Sequence, residues 1–486
     1  MRLNELIKPV GASSPAGDVD ITGITYDSRK VGPGSLFVAF KGGTFDGHSF
    51  IGDAVAKGAA AIVSEREVQA DVPVVVVPDS RAALPALAAK FFDYPSRKMT
   101  MVGVTGTNGK TTTTHMVQSI FQAEGKKAGL IGTLGSRIGD KLIETEHTTP
   151  ESSDLQQVLA KMVDEKVDAL AMEVSSHALV QGRSAYCEFD CAIFTNLTQD
   201  HLDFHGTLED YLAAKLMLFS EYPSRSSKHF VAAVNVDDPS AEKVIKATKG
   251  DIITYGIDSE ADVRGSDIDV TASGVSFVIN YGGRLTQVSL PVGGYFNAYN
   301  SLSAAAAGLA LGIDLETVVK GLESVSKVPG RFESVDCGQD FGVLVDYAHT
   351  PDGLENVLKT ARSLAKERLI AVFGCGGNRD RGKRPIMGRI GSELADVVII
   401  TSDNPRKEDP AEIIKDILEG VPAGIKPDVM VDRGDAIEHA IMMAERGDLV
   451  VIAGKGHEDY QIFADRTIHF DDREVAREVI KKKLNK

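Results

Sequence analysis

Short, wholly apolar runs alternate along this chain with longer amphipathic or alanine-rich stretches, and the alternation falls into three blocks. In the first hundred residues, β-like runs at 35–40 and 73–77 precede an alanine-rich stretch that predicts a helix over 81–92. Tyr94-Pro95-Ser96-Arg97 then reads as a linker, because the residue before proline avoids the helical region. The second block opens with a buried strand over 99–105, a glycine loop and a helix over 110–124. Further strands at 169–173 and 191–195 alternate with helices, the signature of a parallel sheet. A more polar β-rich stretch over 262–292 predicts an antiparallel extension of that sheet, followed by an alanine-rich helix over 298–311 and a break at Val328-Pro329-Gly330. The third block alternates again, with strands at 369–373, 397–401 and 449–453, and predicts a second doubly wound unit. The expected fold is therefore α/β in three domains: an α/β unit at 1–97, a central P-loop-type parallel-sheet domain at 98–329, and a Rossmann-like domain at 330–486. No internal repeat is visible.

Bulk properties narrow the field. At 486 residues the chain exceeds what one core can organise. Its 43% apolar and 25% charged content is that of a soluble globular protein. With 53 basic against 69 acidic residues the net charge is −16, which disfavours non-specific attraction to nucleic acid or anionic membranes. Cys187, Cys191, Cys337 and Cys375 are too scattered for a disulfide framework, and core packing explains them better than zinc. The N-terminus lacks an apolar signal segment, and no apolar run approaches the roughly 20 residues of a membrane span. A cytoplasmic protein is expected, with no nucleic-acid partner and no membrane insertion, acting as a monomer.

Candidate chemistry begins at Gly106-Thr107-Asn108-Gly109-Lys110-Thr111, between a strand and a helix. Backbone N–H groups at the helix start face an anion there, and the helix dipole favours negative charge. Lys110 can neutralise phosphate, and the Thr111 hydroxyl can ligate Mg²⁺. The full Walker pattern places a glycine where this chain has Val104, so the loop is a variant. A chance glycine turn is the bland reading; the flanking strand and helix argue against it.

Glu173 ends an apolar strand, where a carboxylate can reach Mg²⁺ directly or through water, or can simply cap a helix. His201 and His205 are four apart, yet Leu202 stands where a metalloprotease helix carries glutamate. Taken alone, His201 is as readily a hydrogen-bonded loop histidine. Lys215 lies on an apolar helix face and by default extends its amine to solvent.

In the last block, Gly374-Cys375-Gly376-Gly377-Asn378-Arg379 follows a strand, and Arg379, Arg381, Lys383 and Arg384 cluster within six residues. A solvated basic turn explains that cluster equally well. Asp403-Asn404-Pro405-Arg406 presents an acid and a guanidinium on a rigid turn, suited to a zwitterionic ligand. Gly454-Lys455-Gly456-His457-Glu458 adds an acid at the next strand end. These loops converge on one carboxyl edge, suggesting ATP on one domain and an amino acid on another.

The motifs Thr-Gly-Thr-Asn-Gly-Lys-Thr, Glu-Val-Ser-Ser-His, Asp-His-Leu-Asp-Phe-His-Gly, Val-Pro-Gly-Arg-Phe-Glu and Asp-Tyr-Ala-His-Thr-Pro-Asp, taken together, resemble the Mur ligase family along essentially the whole chain. The resemblance implies an ATP- and Mg²⁺-dependent peptidoglycan ligase that phosphorylates a substrate carboxylate and lets an amine displace the phosphate. It implies a UDP-sugar domain, an ATP domain and an amino-acid domain. It places Lys110, Glu173, His201 and Lys215 in catalysis, with Thr111, Glu173, His201 and Lys215 around the metal, Lys215 being carbamylated by CO₂. ATP would meet residues Gly106 to Thr112 together with Asn297, Asn300, Arg331 and Asp346. The UDP-N-acetylmuramoyl dipeptide would meet Tyr26, Ser28, Gly43, Thr44, Phe45, Thr148, Thr149, Ser175, Gln181 and Arg183, with His147 left open. Asp403, Asn404, Pro405 and Arg406 match the form associated with meso-diaminopimelate, joined by Arg379, Gly454 and Glu458. The rival readings are a lysine-adding relative, a folylpolyglutamate synthetase-like ligase, and a P-loop switch ATPase.

Overall fold

A computed structural model describes residues 1–12, 17–42, 46–139, 141–143, 145, 147–271, 274–325 and 327–485. Among the described residues, sheets of four, eleven and six strands organise the chain, with a small two-stranded ribbon, Tyr460–Ile462 and Thr467–His469, beside the last. The first is all parallel, in the order Gly23–Thr25, Ser35–Val38, Ala61–Ser64, Val74–Val76. The helix Ser80–Phe91 packs on it, its first turn capped by the Asp79 carboxylate accepting from Ala82 N–H.

In the central sheet the strand Thr100–Thr105 lies between Ala169–Glu173 and Cys191–Phe194. Its side chains alternate between two cores: Val102 and Val104 pack under the helices Lys110–Ala123 and Phe296–Ala310, while Met101 faces Leu155, Leu159 and Phe219 on the opposite side. Burial on both faces is why parallel strands read as unbroken apolar runs. The expected extension is present as three strands, Val263–Val270, Val275–Tyr281 and Arg284–Leu290, antiparallel to one another and joined to the sheet through Asp251–Gly256. Cys187 and Cys191 are buried in the core, as expected.

The C-terminal sheet runs Glu333–Ser334, Gly342–Asp346, Leu449–Ala453, Leu369–Phe373, Val397–Ile400, Asp428–Val429. Helices cover both faces, with Leu369, Ala371 and Phe373 in one core and Ile370 and Val372 in the other. The stretch around Tyr94 differs from a loose linker. Tyr94 takes φ 48°, and a 3₁₀ turn, Pro95–Lys98, docks on the central unit through Arg97 Nε to Glu188 Oε1 at 2.6 Å. Among the described residues no helix is long and apolar enough to cross a membrane.

Candidate active site

Parallel register brings the site together. Val104 pairs with Glu173 and Thr105 with Phe194, so the glycine loop, the end of the 169–173 strand and the segment after Phe194 emerge side by side. Gly106 (φ 149°) and Gly109 (φ 87°) have no room for a side chain: a Cβ would lie 1.8 Å from Thr195 Oγ1 and 2.3 Å from Asn300 Oδ1, respectively. Asn196 steadies the loop by accepting from Thr107 N–H at its carbonyl and from Asn108 N–H at its side chain, both at 2.9 Å. Lys110 folds its amine onto the carbonyls of Thr107 (2.8 Å) and Gly106 (3.1 Å). Burial pushes its pKa down. Gly109 offers no side-chain cap to the fourteen-residue helix Lys110–Ala123, which leaves that helix start open to an anion.

Glu173 is buried, and both carboxylate oxygens are held by one residue. Thr133 N–H donates to Oε1 at 2.8 Å and Thr133 Oγ1 to Oε2 at 3.1 Å. The carboxylate lies so close to the backbone that a Cβ on Gly132 would come within 2.3 Å of Oε1. Lys215 departs from the solvent-seeking default. It is 1% exposed, donates to Gly106 O at 2.7 Å, and sits 4.0 Å over the Tyr211 ring. Burial, then the nearby Lys110 charge, drive its pKa well below that of a free lysine, towards a neutral amine.

His201 has φ 56° and lies 3.2 Å from the Asp200 carboxylate. Burial lowers its pKa to about 3. Glu173, His201, Lys215, Thr111 and Thr112 all line one cavity of about 680 Å³ with the glycine loop. Among the described residues no three His, Cys, Asp or Glu side chains cluster closely enough to hold a metal unaided. A cation here needs ligand oxygens too, which is how Mg²⁺ is held beside phosphates.

The C-terminal unit closes the cavity. Arg331 donates to Thr111 Oγ1 at 2.9 Å and stacks 4.5 Å from the Tyr347 ring centre. Asp346 accepts from Phe332 N–H and Ala348 N–H, and burial raises its pKa. Asn300 faces the cavity, whereas Asn297 is absent from its lining and accepts from Asn300 Nδ2 at 2.8 Å. Asn108 donates across the interface to Asp352 at 2.6 Å.

Past these residues, the carboxyl edge of the C-terminal sheet holds the second set. Asn404 Nδ2 donates to Glu458 Oε2 at 2.8 Å, and Lys455 reaches the same oxygen at 3.2 Å. Glu458 has a raised pKa, from burial and then the neighbouring Asp403 charge. Asp403 Oδ1 is buried without a hydrogen-bond partner among the described residues. Gly454 (φ 124°) packs against this acid, where a Cβ would lie 3.3 Å from Asp403 Oδ2. Arg406, following Pro405, takes φ 53° and donates to Gly377 O at 3.0 Å. A Cβ on Gly376 would stand 2.8 Å from Arg406 Nη1 and 3.8 Å from Arg379 Cγ, so the two arginines flank that glycine. The basic cluster resolves unevenly. Arg384 is buried between Glu408 (2.9 Å) and Asp416 (2.8 Å), and Arg381 also pairs with Asp416 at 2.9 Å. Those two arginines are structural, Lys383 is buried, and Arg379 is left exposed.

Towards the first unit, Thr149 Oγ1 donates to Glu173 O at 2.9 Å and accepts from Ser175 N–H at 3.1 Å. Thr148 and Ser175 line the main cavity, and Thr148 meets Thr133 Oγ1 at 3.2 Å. Arg183 pairs with Glu151 at 2.7 Å, and Gln181 Oε1 is buried without a partner among the described residues. A second cavity of about 550 Å³ is lined by Tyr26, His147, Glu151 and Lys30, among others. Tyr26 stacks on Phe40 at 5.8 Å, and Ser28 offers its carbonyl to Lys57 at 2.8 Å. Gly43, Thr44 and Phe45 lie outside the described residues.

Sequence reasoning missed Thr133, Asp200 and Asp352. Asp200 opens the motif Asp-His-Leu-Asp-Phe-His-Gly and Asp352 closes Asp-Tyr-Ala-His-Thr-Pro-Asp, yet neither motif says what its acid meets; Thr133 acts across strands, and no local spacing marks it.

These features define an α/β protein whose strand–glycine loop–helix unit faces the carboxyl-edge loops of a second sheet. Residues 20–92 match the family described as "Mur ligase family, catalytic domain", 104–308 the "Mur ligase middle domain", and 330–456 the "Mur ligase, glutamate ligase domain". A protein of Geobacillus thermodenitrificans, UDP-N-acetylmuramoyl-L-alanyl-D-glutamate–2,6-diaminopimelate ligase, is 51% identical over 96% of each chain. One of the same name from Syntrophomonas wolfei is 47% identical over the full length of both. A solved structure of an enzyme of that name superposes with a TM-score of 0.67 at 35% identity, over 96% of this chain and 95% of the other. The chain belongs to the Mur ligase family.

Proposed function

We propose that this chain is an ATP-dependent, ADP-forming ligase that joins meso-2,6-diaminopimelate to the D-glutamate of UDP-N-acetylmuramoyl-L-alanyl-D-glutamate, in peptidoglycan biosynthesis. The observation that carries the reading is the pairing of a phosphate loop with a zwitterion-matched site: Arg406 and Arg379 about Gly376, and Asp403 and Glu458 beside them. A second carboxylate on the amino acid suits the arginine side, while its ammonium suits the two acids. Lysine would set a cation against Arg406.

Work divides among the three units, 1–97 for the UDP-sugar, 98–329 for ATP and 330–486 for the amino acid. The glycine loop and Lys110 bind and orient the phosphates, with Asn300, Arg331 and Asp346 around the nucleotide. Tyr26, Ser28, Thr148, Thr149, Ser175, Gln181 and Arg183 hold the UDP-dipeptide. The glutamate carboxylate attacks the γ-phosphorus, giving an acyl phosphate and ADP. The incoming amine then attacks the acyl carbon, forming the amide, releasing phosphate and shedding a proton. Lys110, whose amine rests on the Thr107 and Gly106 carbonyls, would turn to the transferring oxygens, and the C-terminal unit over the cavity would keep water from the acyl phosphate. Thr111 and Glu173, which line the cavity with the glycine loop, would hold Mg²⁺ beside the phosphate oxygens, and the ion would supply charge neutralisation there. A neutral Lys215 amine can add CO₂ and lose one proton to solvent to become a carbamate, which with His201 would offer further anionic and imidazole ligands. The enzyme acts in the cytoplasm on a nucleotide-linked precursor, as a monomer.

An amino-acid panel containing lysine and the diaminopimelate isomers, supplied with ATP and UDP-dipeptide, tests the reading by mass of the product. A meso-diaminopimelate amide is expected. Phosphate release with no amide-linked product contradicts ligation, and preferential use of lysine contradicts the assignment of Arg406.

A further inference from the structure

The loop that carries Arg379 is fixed from two sides, and one of them belongs to the other domain. On its own domain, Arg381 and Arg384 anchor it to Glu408 and Asp416. From the central domain, Gln199 Nε2 donates to Asp380 Oδ2 at 3.1 Å, and Asp200 Oδ1 lies 3.6 Å from Lys383 Nζ. Asp200 is 5% exposed and Lys383 3%. The remaining charged neighbours are spoken for: His201 and His349 also face Asp200, at 3.2 and 3.8 Å, while Arg381 and Arg384 turn to other acids. Asp200 is the one ion-pair partner of Lys383 among the described residues. Removing either partner of a buried pair leaves an uncompensated charge, so the contact should fix geometry strongly.

Gln199 and Asp200 are also tied to the phosphate loop. Two residues earlier in the chain, Leu197 N–H is held by Asp238 at 2.8 Å, and Thr198 N–H donates to Thr107 Oγ1 at 3.0 Å. A continuous set of bonds therefore runs from the phosphate loop through 198–200 to 380–383, next to Arg379.

We infer that Gln199 and Asp200 are positioning residues for the amino-acid substrate, holding the Arg379 loop in register with the phosphate loop across the domain interface. The inference rests on the function proposed above. It assigns to the ATP domain part of the amino-acid site's geometry, although neither residue belongs to the Asp403–Arg406 motif.

The test compares Asp200→Asn, Lys383→Met and the double variant in the full-length enzyme, with ATP affinity by calorimetry and steady-state kinetics for diaminopimelate. Each single variant should raise the KM for diaminopimelate about tenfold or more, while ATP affinity changes by less than about twofold. The double variant should be no worse than the weaker single, because both remove one interaction. Additive losses, or equal weakening of ATP and diaminopimelate, would overturn the inference. Should Asp200→Asn fail to fold by circular dichroism, Gln199→Ala and Asp380→Asn replace it, each expected to raise KM by about two- to fivefold without additivity. An unchanged KM in both would overturn it too. A wild-type enzyme that makes no diaminopimelate amide sinks the functional reading itself; an active wild type with unaltered variants sinks only this inference.

Discussion

Arg406→Ala removes a guanidinium that the surrounding structure prepares at some expense. The residue holds φ 53°, a left-handed conformation that disfavours side chains, and it donates to Gly377 O at 3.0 Å and Asn404 O at 3.4 Å. Burial, with Arg379 next, lowers its pKa, while the Asp403 and Glu458 charges oppose that shift. Truncating one partner of a largely desolvated charge pair costs about 2–5 kcal/mol, or about 30- to 4000-fold in diaminopimelate kcat/KM. Alanine is no less strained than arginine at this φ, so backbone relaxation should not inflate the loss. Steady-state assays with diaminopimelate and with lysine, alongside ATP calorimetry, separate the possibilities. Diaminopimelate use should fall within that range, ATP affinity should hold within about twofold, and lysine use should not fall, since lysine has no second carboxylate for the guanidinium. Equal losses for all three ligands would show that Arg406 only supports the fold of the 377–404 contact.

Gly132→Ala drives a Cβ to within 2.3 Å of Glu173 Oε1, so the carboxylate must move. The Mg²⁺ concentration for half-maximal activity should rise about tenfold or more, while the melting temperature shifts by only a few degrees; an unchanged Mg²⁺ requirement would remove Glu173 from the metal. Lys215→Ala should abolish activity, and removal of CO₂ and bicarbonate should lower that of the wild type, with mass spectrometry or ¹³C NMR reading the carbamate directly. Full activity of the alanine variant without an added small carboxylic acid would refute a carbamate. The depressed Lys215 pKa sets the sign: carbamate formation needs the neutral amine, so falling pH should release CO₂ and lower activity as that amine protonates.

Much of this site was legible in the sequence because parallel sheets put function at strand ends. Leu369–Phe373, Leu449–Ala453 and Ala169–Glu173 read as buried runs, and the candidate residues lie just beyond them. The glycine loop was legible for the same reason. Lys215 was not, because an amine on an apolar helix face looks alike in sequence whether it snorkels or turns inward to Gly106 O. Nor was the split of the basic cluster, since Glu408 and Asp416, which claim Arg384, lie 24 and 32 residues away. Thr133 gripping Glu173 and Asp200 meeting Lys383 depend on register and domain packing, which no motif encodes.

The central claim is that the γ-phosphate passes to the substrate's carboxylate before the amide forms. Labelling both oxygens of the glutamate side-chain carboxylate with ¹⁸O and collecting the released phosphate tests it directly. The account predicts one ¹⁸O in each phosphate and one retained in each amide, with phosphate, ADP and amide in equal amounts. Phosphate carrying no ¹⁸O from the substrate would mean that water, not the carboxylate, received the phosphoryl group.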